Sequence, residues 1–487
     1  MLTDAHILDL NPWWTEPAWE GTDPHLRRLR EQPRQLPAPL VDTLDLSVAA
    51  VHTVRGPRQV GKSTALKLLV QRALSAGRQP TSIIYLALDH LEGQPIQALA
   101  DTVERAKVLA RNPTDAVILL DEVTVVPSWQ TAVKSLWDLG TIDRDVVVCT
   151  GSSAIDMTRG TAHGLPGRRG AGRDHLVLPQ PFAAFARALY PNLPPSPGES
   201  LADLFSLFSP RGRQRLEEMQ LHQPRLDRAL ELYVRFGGLP AAVAEAASGA
   251  TTPSETTRRI LWDSLIRETY REGAGEPALH ALLERVLRSL GSKTNWSRMA
   301  EEMGVPLRSR RTVSRQVSEY RTVRDYIEFL ASGYFLLIVY FWRPDSDSNA
   351  ISKDKKIYFG DPLMSSVVQQ RTPGLRADPA ALVENAVALA LYRRYEPPEH
   401  QFQGFVAPRR LHVWGTAAGG EIDFVCGPRN ALEVLEVKFR RRIDGRSLNA
   451  MTRSLPGRPI VVATKGELAF RDDLVLVPAS LLLWALA

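Results

Sequence analysis

Short apolar runs of strand length alternate with helix-period stretches through the first third of the chain. Ala49–Val54, Ile83–Leu88, Ala116–Leu120, Val146–Thr150 and His175–Leu178 are rich in β-branched residues and read as buried strands. Ser63–Ala76, Gln97–Arg111 and Trp129–Leu139 carry helical patterns between most of them. Strands separated by helices predict an α/β fold, a parallel sheet with helices on both faces. The Pro-rich stretch Pro191–Pro197 ends that rhythm. From about Leu201 to Leu290 the pattern is helical, and a compact Arg-rich unit follows as far as Tyr340. The polar stretch 346–356, which includes Lys353, Lys355 and Lys356, reads as a loop. A second mixed α/β pattern then runs to Ala487. The expected division is an arm over 1–45, a core over 46–190, helices over 191–280, the Arg-rich unit over 281–345 and an α/β domain over 346–487.

Composition narrows this only a little. At 487 residues the chain exceeds what one core supports, so two to four domains are expected. Tyr334–Trp342, the longest apolar run, is too short to cross a bilayer and reads as a buried strand. Asp4, Asp9 and Glu16 interrupt any basic-then-apolar leader, and Cys149 and Cys426 sit in strand-like runs as small core residues. A cytoplasmic protein without membrane contact is expected. The net charge of +6 suits an anionic partner, whether nucleotide or nucleic acid.

The chemistry is concentrated in one motif. Gly56-Pro57-Arg58-Gln59-Val60-Gly61-Lys62-Ser63-Thr64 fits G-x-x-x-x-G-K-[ST] directly between a strand and a helix. Its glycines let backbone N–H groups wrap phosphates at a helix N-terminus. Lys62 reaches the β- and γ-phosphates, and the Ser63 hydroxyl ligates Mg²⁺. The apolar run Ala116–Leu120 ends in Asp121 and Glu122. Asp121 is expected to hold Mg²⁺ through water and Glu122 to polarise the attacking water. Val146–Thr150 leads into Gly151-Ser152-Ser153, where Ser152 is a candidate γ-phosphate donor or a plain turn residue. Arg159, Arg168, Arg169 and Arg173 punctuate a Gly-rich loop; Arg168 or Arg169 is the expected guanidinium on the γ-phosphate. ATP and Mg²⁺ are the expected cofactors.

The series NPWW, GPRQVGKST, ILLDEV followed by Trp129, TGSS, GRRG and then Tyr233 with Gly237-Gly238-Leu239-Pro240 resembles the AAA-family ATPases that carry a C-terminal DUF4143 domain. This is the AAA_14 or archaeal-type group, related to STAND signalling ATPases. The resemblance implies a P-loop AAA-like core, a helical lid, a winged helix and a C-terminal domain similar to PD-(D/E)xK nucleases. It also implies that Pro240 contacts the nucleotide base or sugar, where the residues alone suggest a corner between helices.

Two further clusters bear on partners. Leu282–Leu290, Trp296–Met303 and Thr312–Leu330 read as helices, and Arg308, Arg310, Arg311, Arg315, Arg321 and Arg324 crowd the last of them and its approach. In a winged helix this face meets DNA phosphates; otherwise it is a solvated charged face. In the C-terminal domain, His412–Thr416, Glu421–Cys426 and Ala431–Phe439 read as strands. Asp423, Glu436 and Lys438 form D-x12-E-x-K on adjacent strands, and Glu384 on the helix Pro379–Tyr392 offers a fourth group. Asp423 and Glu436 would hold metal for Mg²⁺-dependent phosphodiester cleavage, with Lys438 positioning water. The basic run Arg440–Arg442 follows. Two readings stand: an ATPase coupling nucleotide state to a DNA-binding winged helix and a nuclease-like domain, or a STAND-like switch acting on a protein partner with an inactive C-terminal domain. Homo-oligomerisation fits either.

Overall fold

The computed structural model describes residues 2–151, 173–197, 201, 203–272, 275–303, 319–342, 354–402, 404–415, 421–428, 431–441, 443 and 457–487. Contacts divide the chain into two compact units, residues Met1–Leu178 and Pro179–Ala487.

The first unit is built on five strands: β1 (Ala50–Arg55), β2 (Ile83–Ala87), β3 (Val117–Asp121), β4 (Val146–Thr150) and β5 (Asp174–Leu176). They lie in the order β2-β3-β4-β1-β5 and every pairing is parallel. The alternation of side chains sorts each strand onto two cores. Ile84, Leu86, Ile118, Leu120, Val147 and Cys149 face the helices Gln97–Leu109 and Trp129–Asp138. Ile83, Tyr85, Val117, Leu119, Val146 and Val148 face the helix Lys62–Ser75 and the N-terminal arm. The α/β reading of the sequence holds, with strand and helix ends within two residues of those expected.

The arm is part of this core. Trp13, Trp19, Leu26 and Leu40 are buried in it. β2 is an edge strand, and its open backbone is closed by side chains. Asn11 Nδ2 donates to the Tyr85 carbonyl at 2.9 Å while its Oδ1 accepts from the Tyr85 N–H at 2.7 Å. Trp13 and Trp14 both donate their indole N–H to the Ile83 carbonyl, at 3.0 and 2.8 Å. An exposed edge strand invites pairing with another chain, and here the arm covers it.

The second unit joins helices to two sheets. The helices include Phe182–Leu189, Gln223–Phe236, Pro240–Ala247, Glu255–Glu272, Glu276–Arg288, Trp296–Met303, Glu319–Ser332 and Pro379–Tyr395. β6 (Leu336–Tyr340) pairs antiparallel with β7 (Lys355–Phe359), and Thr294 bridges to Lys355. A mixed sheet contains β8 (Leu411–Gly415), β9 (Glu421–Cys426), β10 (Glu433–Lys438), β11 (Ile460–Thr464), β12 (Ala469–Phe470) and β13 (Leu474–Pro478), in the order β12-β13-β11-β10-β9-β8. One expectation is overturned at β7. The stretch 346–356 was read as polar loop, but Lys355 and Lys356 are buried strand residues. Two adjacent lysines hide a strand because burial of each depends on a distant partner, which local polarity does not reveal.

Both cysteines are free and buried. Among the described residues no helix is long and apolar enough to cross a membrane.

Candidate functional site

The loop between β1 and the helix Lys62–Ser75 takes three left-handed or glycine-favouring turns, at Gly56 (φ 151°), Gln59 (φ 65°) and Gly61 (φ 98°). A Cβ on Gly56 would stand 2.0 Å from the Val177 carbonyl oxygen, so only glycine fits there. Lys62 is buried and its Nζ donates to the Gly56 and Pro57 carbonyls, both at 3.0 Å, which folds it over the loop. Ser63 and Thr64 begin the helix and are partly accessible, as is Arg58, while Val60 is buried beneath them. The result is a ring of backbone N–H groups at a helix N-terminus with one ammonium above it, an arrangement suited to polyphosphate.

Asp121 closes β3, and Glu122 follows with φ 57°. Thr150, at the end of the neighbouring β4, ties the pair together: its hydroxyl donates to Asp121 Oδ1 and accepts from the Glu122 N–H at 3.0 Å. The other Asp121 oxygen accepts from the Tyr85 hydroxyl at 2.9 Å. Tyr85 in turn lies under Lys67, whose Nζ is 3.7 Å from the ring centre and 3.5 Å from Asp23 Oδ2. Burial pushes the Tyr85 hydroxyl above its usual range, reinforced by the charge of Asp121, so it stays a proton donor. Asp89, just beyond β2, is a third carboxylate at this end of the sheet. Its pKa is raised by burial and then by Glu122 and Asp121. Tyr85, Asp89 and Thr150 were not singled out from sequence; the carboxyl ends of parallel strands, where ligands gather, were the available signal. The residues present would suit Mg²⁺ carried with a nucleotide, Ser63 directly and Asp121 through water, since both Asp121 oxygens already accept hydrogen bonds. Ser152, Arg159, Arg168 and Arg169 lie outside the described residues. Arg173 is described, and its guanidinium meets His52 Nε2 at 3.3 Å and Asp45 at 3.8 Å.

In the second unit, Gly237 and Gly238 end one helix and Pro240 opens the next. Asp361 fixes this corner by accepting from the Gly238 N–H at 2.8 Å. Pro240 here pre-sets the first turn of a helix.

The C-terminal carboxylates do converge. Glu384 lies on the helix Pro379–Tyr395, Asp423 on β9, and Glu436 and Lys438 on β10. At their centre stands Lys356 of β7, with Nζ 2.8 Å from Asp423 Oδ1, 2.8 Å from Glu421 Oε1 and 3.0 Å from Glu384 Oε1. Tyr358 donates to Glu384 at 2.7 Å. Asp423 Oδ2 accepts from the Val437 N–H at 2.9 Å, and Glu436 Oε2 accepts from the Asp423 N–H at 3.0 Å. Glu436 Oε1 pairs with Lys438. Burial, and then the Asp423 charge, push the pKa values of Glu384 and Glu436 above the usual carboxylate range. Burial disfavours the Lys356 charge, but Asp423, Glu384 and Glu421 overcome it and raise its pKa. Among the described residues no group of three or more His, Cys, Asp or Glu side chains is placed to hold a metal ion. Of the arginines expected to meet DNA, Arg308, Arg310, Arg311 and Arg315 lie outside the described residues. Arg324 pairs with Glu328 at 2.7 Å.

A five-stranded parallel sheet with a phosphate loop after β1 and an acid pair at the end of β3 fits a P-loop, AAA-like α/β core. Residues 49–185 match the family model AAA_14, described as an AAA domain. Residues 227–372 match a domain of unknown function, DUF8612. No curated protein matches. Solved structures with similarity include the Aeropyrum pernix ORC2 protein in ADPNP–ADP complexes, at 12% identity, 66% of this chain, 89% of that chain and TM-score 0.33. The Aeropyrum pernix ORC1 protein in complex with DNA gives 13% identity, 71% of this chain, 91% of that chain and TM-score 0.28. C. elegans PCH-2 gives 16% identity, 31% of this chain, 41% of that chain and TM-score 0.22. Likeness at these scores carries nothing about function.

Proposed function

We propose that the protein is a Mg²⁺-dependent ATPase that works as a nucleotide switch, its nucleotide state acting on a partner through the C-terminal half. The observation that carries the first part is the acid pair Asp121–Glu122, held by Thr150 and Tyr85 beside the phosphate loop. In this reading Gly56 to Thr64 cradle the phosphates and Lys62 moves from the loop carbonyls to the β- and γ-phosphates. Ser63 would hold Mg²⁺ directly and Asp121 through water, and the ion would supply neutralisation of phosphate charge; Glu122 orients and deprotonates the attacking water. Ser152 and one of Arg168 and Arg169 complete the γ-phosphate contacts.

The Arg-rich segment around 308–324 favours a nucleic-acid partner by charge, and three helices followed by the β6–β7 pair suit a winged helix. The nuclease-like half of that reading is the weaker one. The ammonium of Lys356 among Glu384, Glu421 and Asp423 favours the alternative, a switch whose C-terminal domain does not cleave.

The test is ATP turnover with and without duplex and single-stranded DNA, while the integrity of the DNA is followed. Glu122→Gln is expected to keep ATP binding and lose about 10²-fold or more in turnover, the usual contribution of a positioned general base. Unchanged turnover would sink that assignment, and metal-dependent nicking lost in Asp423→Ala would restore the nuclease reading.

A further inference from the structure

The nuclease resemblance implies a divalent metal at Asp423 and Glu436, and the residues present do not fit one. A lysine ammonium has three donors and no acceptor. Lys356 Nζ finds three carboxylate oxygens at 2.8, 2.8 and 3.0 Å, from Asp423, Glu421 and Glu384. Its side chain is 1% exposed, locked in β7 and flanked by Tyr358, which holds the same Glu384 oxygen. Both oxygens of Asp423 are engaged, one by Lys356 and one by the Val437 N–H. Both oxygens of Glu436 are engaged as well, one by Lys438 and one by the Asp423 N–H. Mg²⁺ demands near-octahedral oxygens at roughly 2.0–2.1 Å, so it could enter only by expelling a buried lysine and breaking these bonds.

We propose that Lys356 is the resident cation of this carboxylate cluster, standing where the fold would otherwise carry a divalent metal. The cluster is then a joint that fastens β7, the helix Pro379–Tyr395, β9 and β10 to one another. It needs its internal cation, because Glu384, Asp423 and Glu436, shielded from water with Glu421 at their exposed edge, repel strongly when none is present. This deepens the part of the proposed function that concerns the C-terminal half and is independent of the ATPase assignment.

The experiment counts bound Mn²⁺ by electron paramagnetic resonance and follows thermal unfolding on the full chain, free of nucleotide. Wild type and Asp423→Asn are expected to bind Mn²⁺ equally, since the cluster contributes no site. Lys356→Met is expected to gain one Mn²⁺ site that Asp423→Asn abolishes in the same chain, with a melting temperature that rises on adding Mn²⁺. Mn²⁺ bound by the wild type and lost in Asp423→Asn would overturn the proposal. A folded Lys356→Met that gains no site would overturn the claim that the lysine stands in a metal position. Should Lys356→Met fail to fold in every buffer, the comparison of wild type with Asp423→Asn still decides. Loss of ATP turnover in the Glu122 variant would move none of these readouts.

Discussion

Asn11→Ala strips the edge strand β2 of its cover. Asn11 is 1% exposed and makes three hydrogen bonds: Nδ2 to the Ile7 carbonyl at 2.8 Å, Nδ2 to the Tyr85 carbonyl at 2.9 Å, and Oδ1 from the Tyr85 N–H at 2.7 Å. Alanine leaves the Tyr85 N–H and C=O without those partners, in a place too closed for water to replace both. Each buried backbone group left unpaired costs about 1–3 kcal/mol, so with two of them the variant is expected to lose about 2–6 kcal/mol. Tyr85 also carries the hydroxyl that holds Asp121, so the loss reaches the site as well as the fold. Urea unfolding followed by tryptophan fluorescence reports it, since Trp13, Trp14 and Trp19 sit in the same arm. The transition that counts is the one that moves with added nucleotide. A loss below about 0.5 kcal/mol, within the range of ordinary surface changes, would refute the claim that the arm completes the sheet.

Three more outcomes follow from the geometry. Tyr85→Phe removes one of the two side-chain bonds that orient Asp121; turnover should fall about tenfold while the KM for ATP stays within about twofold, as for an interaction felt mainly in the transition state. Steady-state kinetics over a Mg²⁺ series checks this, and an unchanged kcat would remove Tyr85 from the site. Gly56→Ala should abolish ATP binding in a fluorescent-nucleotide titration, because its Cβ would meet the Val177 carbonyl. Lys355, fully buried over the Trp296 ring at 3.7 Å, is lowered to about 8, by burial first and then by Arg324. Its unfolded form binds a proton up to about 10.5, so between pH 8 and 10.5 the unfolded chain holds more protons and stability rises with pH. Below pH 8 the charged form is penalised in full, by about 3 kcal/mol less about 1 kcal/mol from the cation–π contact. Lys355→Met should therefore be about 1–2 kcal/mol more stable at pH 7 in chemical denaturation and lose that alkaline rise; a destabilised variant would contradict the reasoning.

The ATP site was readable because its signals are contiguous. A strand, a phosphate loop and a helix follow one another within Ala50–Ser75, and the acid pair directly follows its own strand. Period-two and period-3.6 patterns placed those element ends within two residues. What escaped were the residues whose roles come from partners far along the chain. Tyr85 reads as one more aromatic in a strand until Asp121 is placed beside it, 36 residues on. Asn11 reads as a loop residue until it meets the same Tyr85. Lys356 reads as solvent-facing charge in a polar stretch, and only β7, β9 and the helix Pro379–Tyr395 together turn it into the centre of a carboxylate cluster. The D-x12-E-x-K spacing correctly put Asp423 and Glu436 on neighbouring strands, yet spacing carries no information about a cation arriving from β7.

The account stands most directly on one comparison: Mg²⁺-dependent ATP turnover of the full chain against Glu122→Gln, with nucleotide binding measured on both. It predicts that both bind ATP alike, that wild type hydrolyses it, and that the variant does so about 10²-fold more slowly or less. Wild type that binds ATP without turning it over, or a variant as fast as wild type, would contradict the placement of hydrolysis at the Asp121–Glu122 end of the sheet.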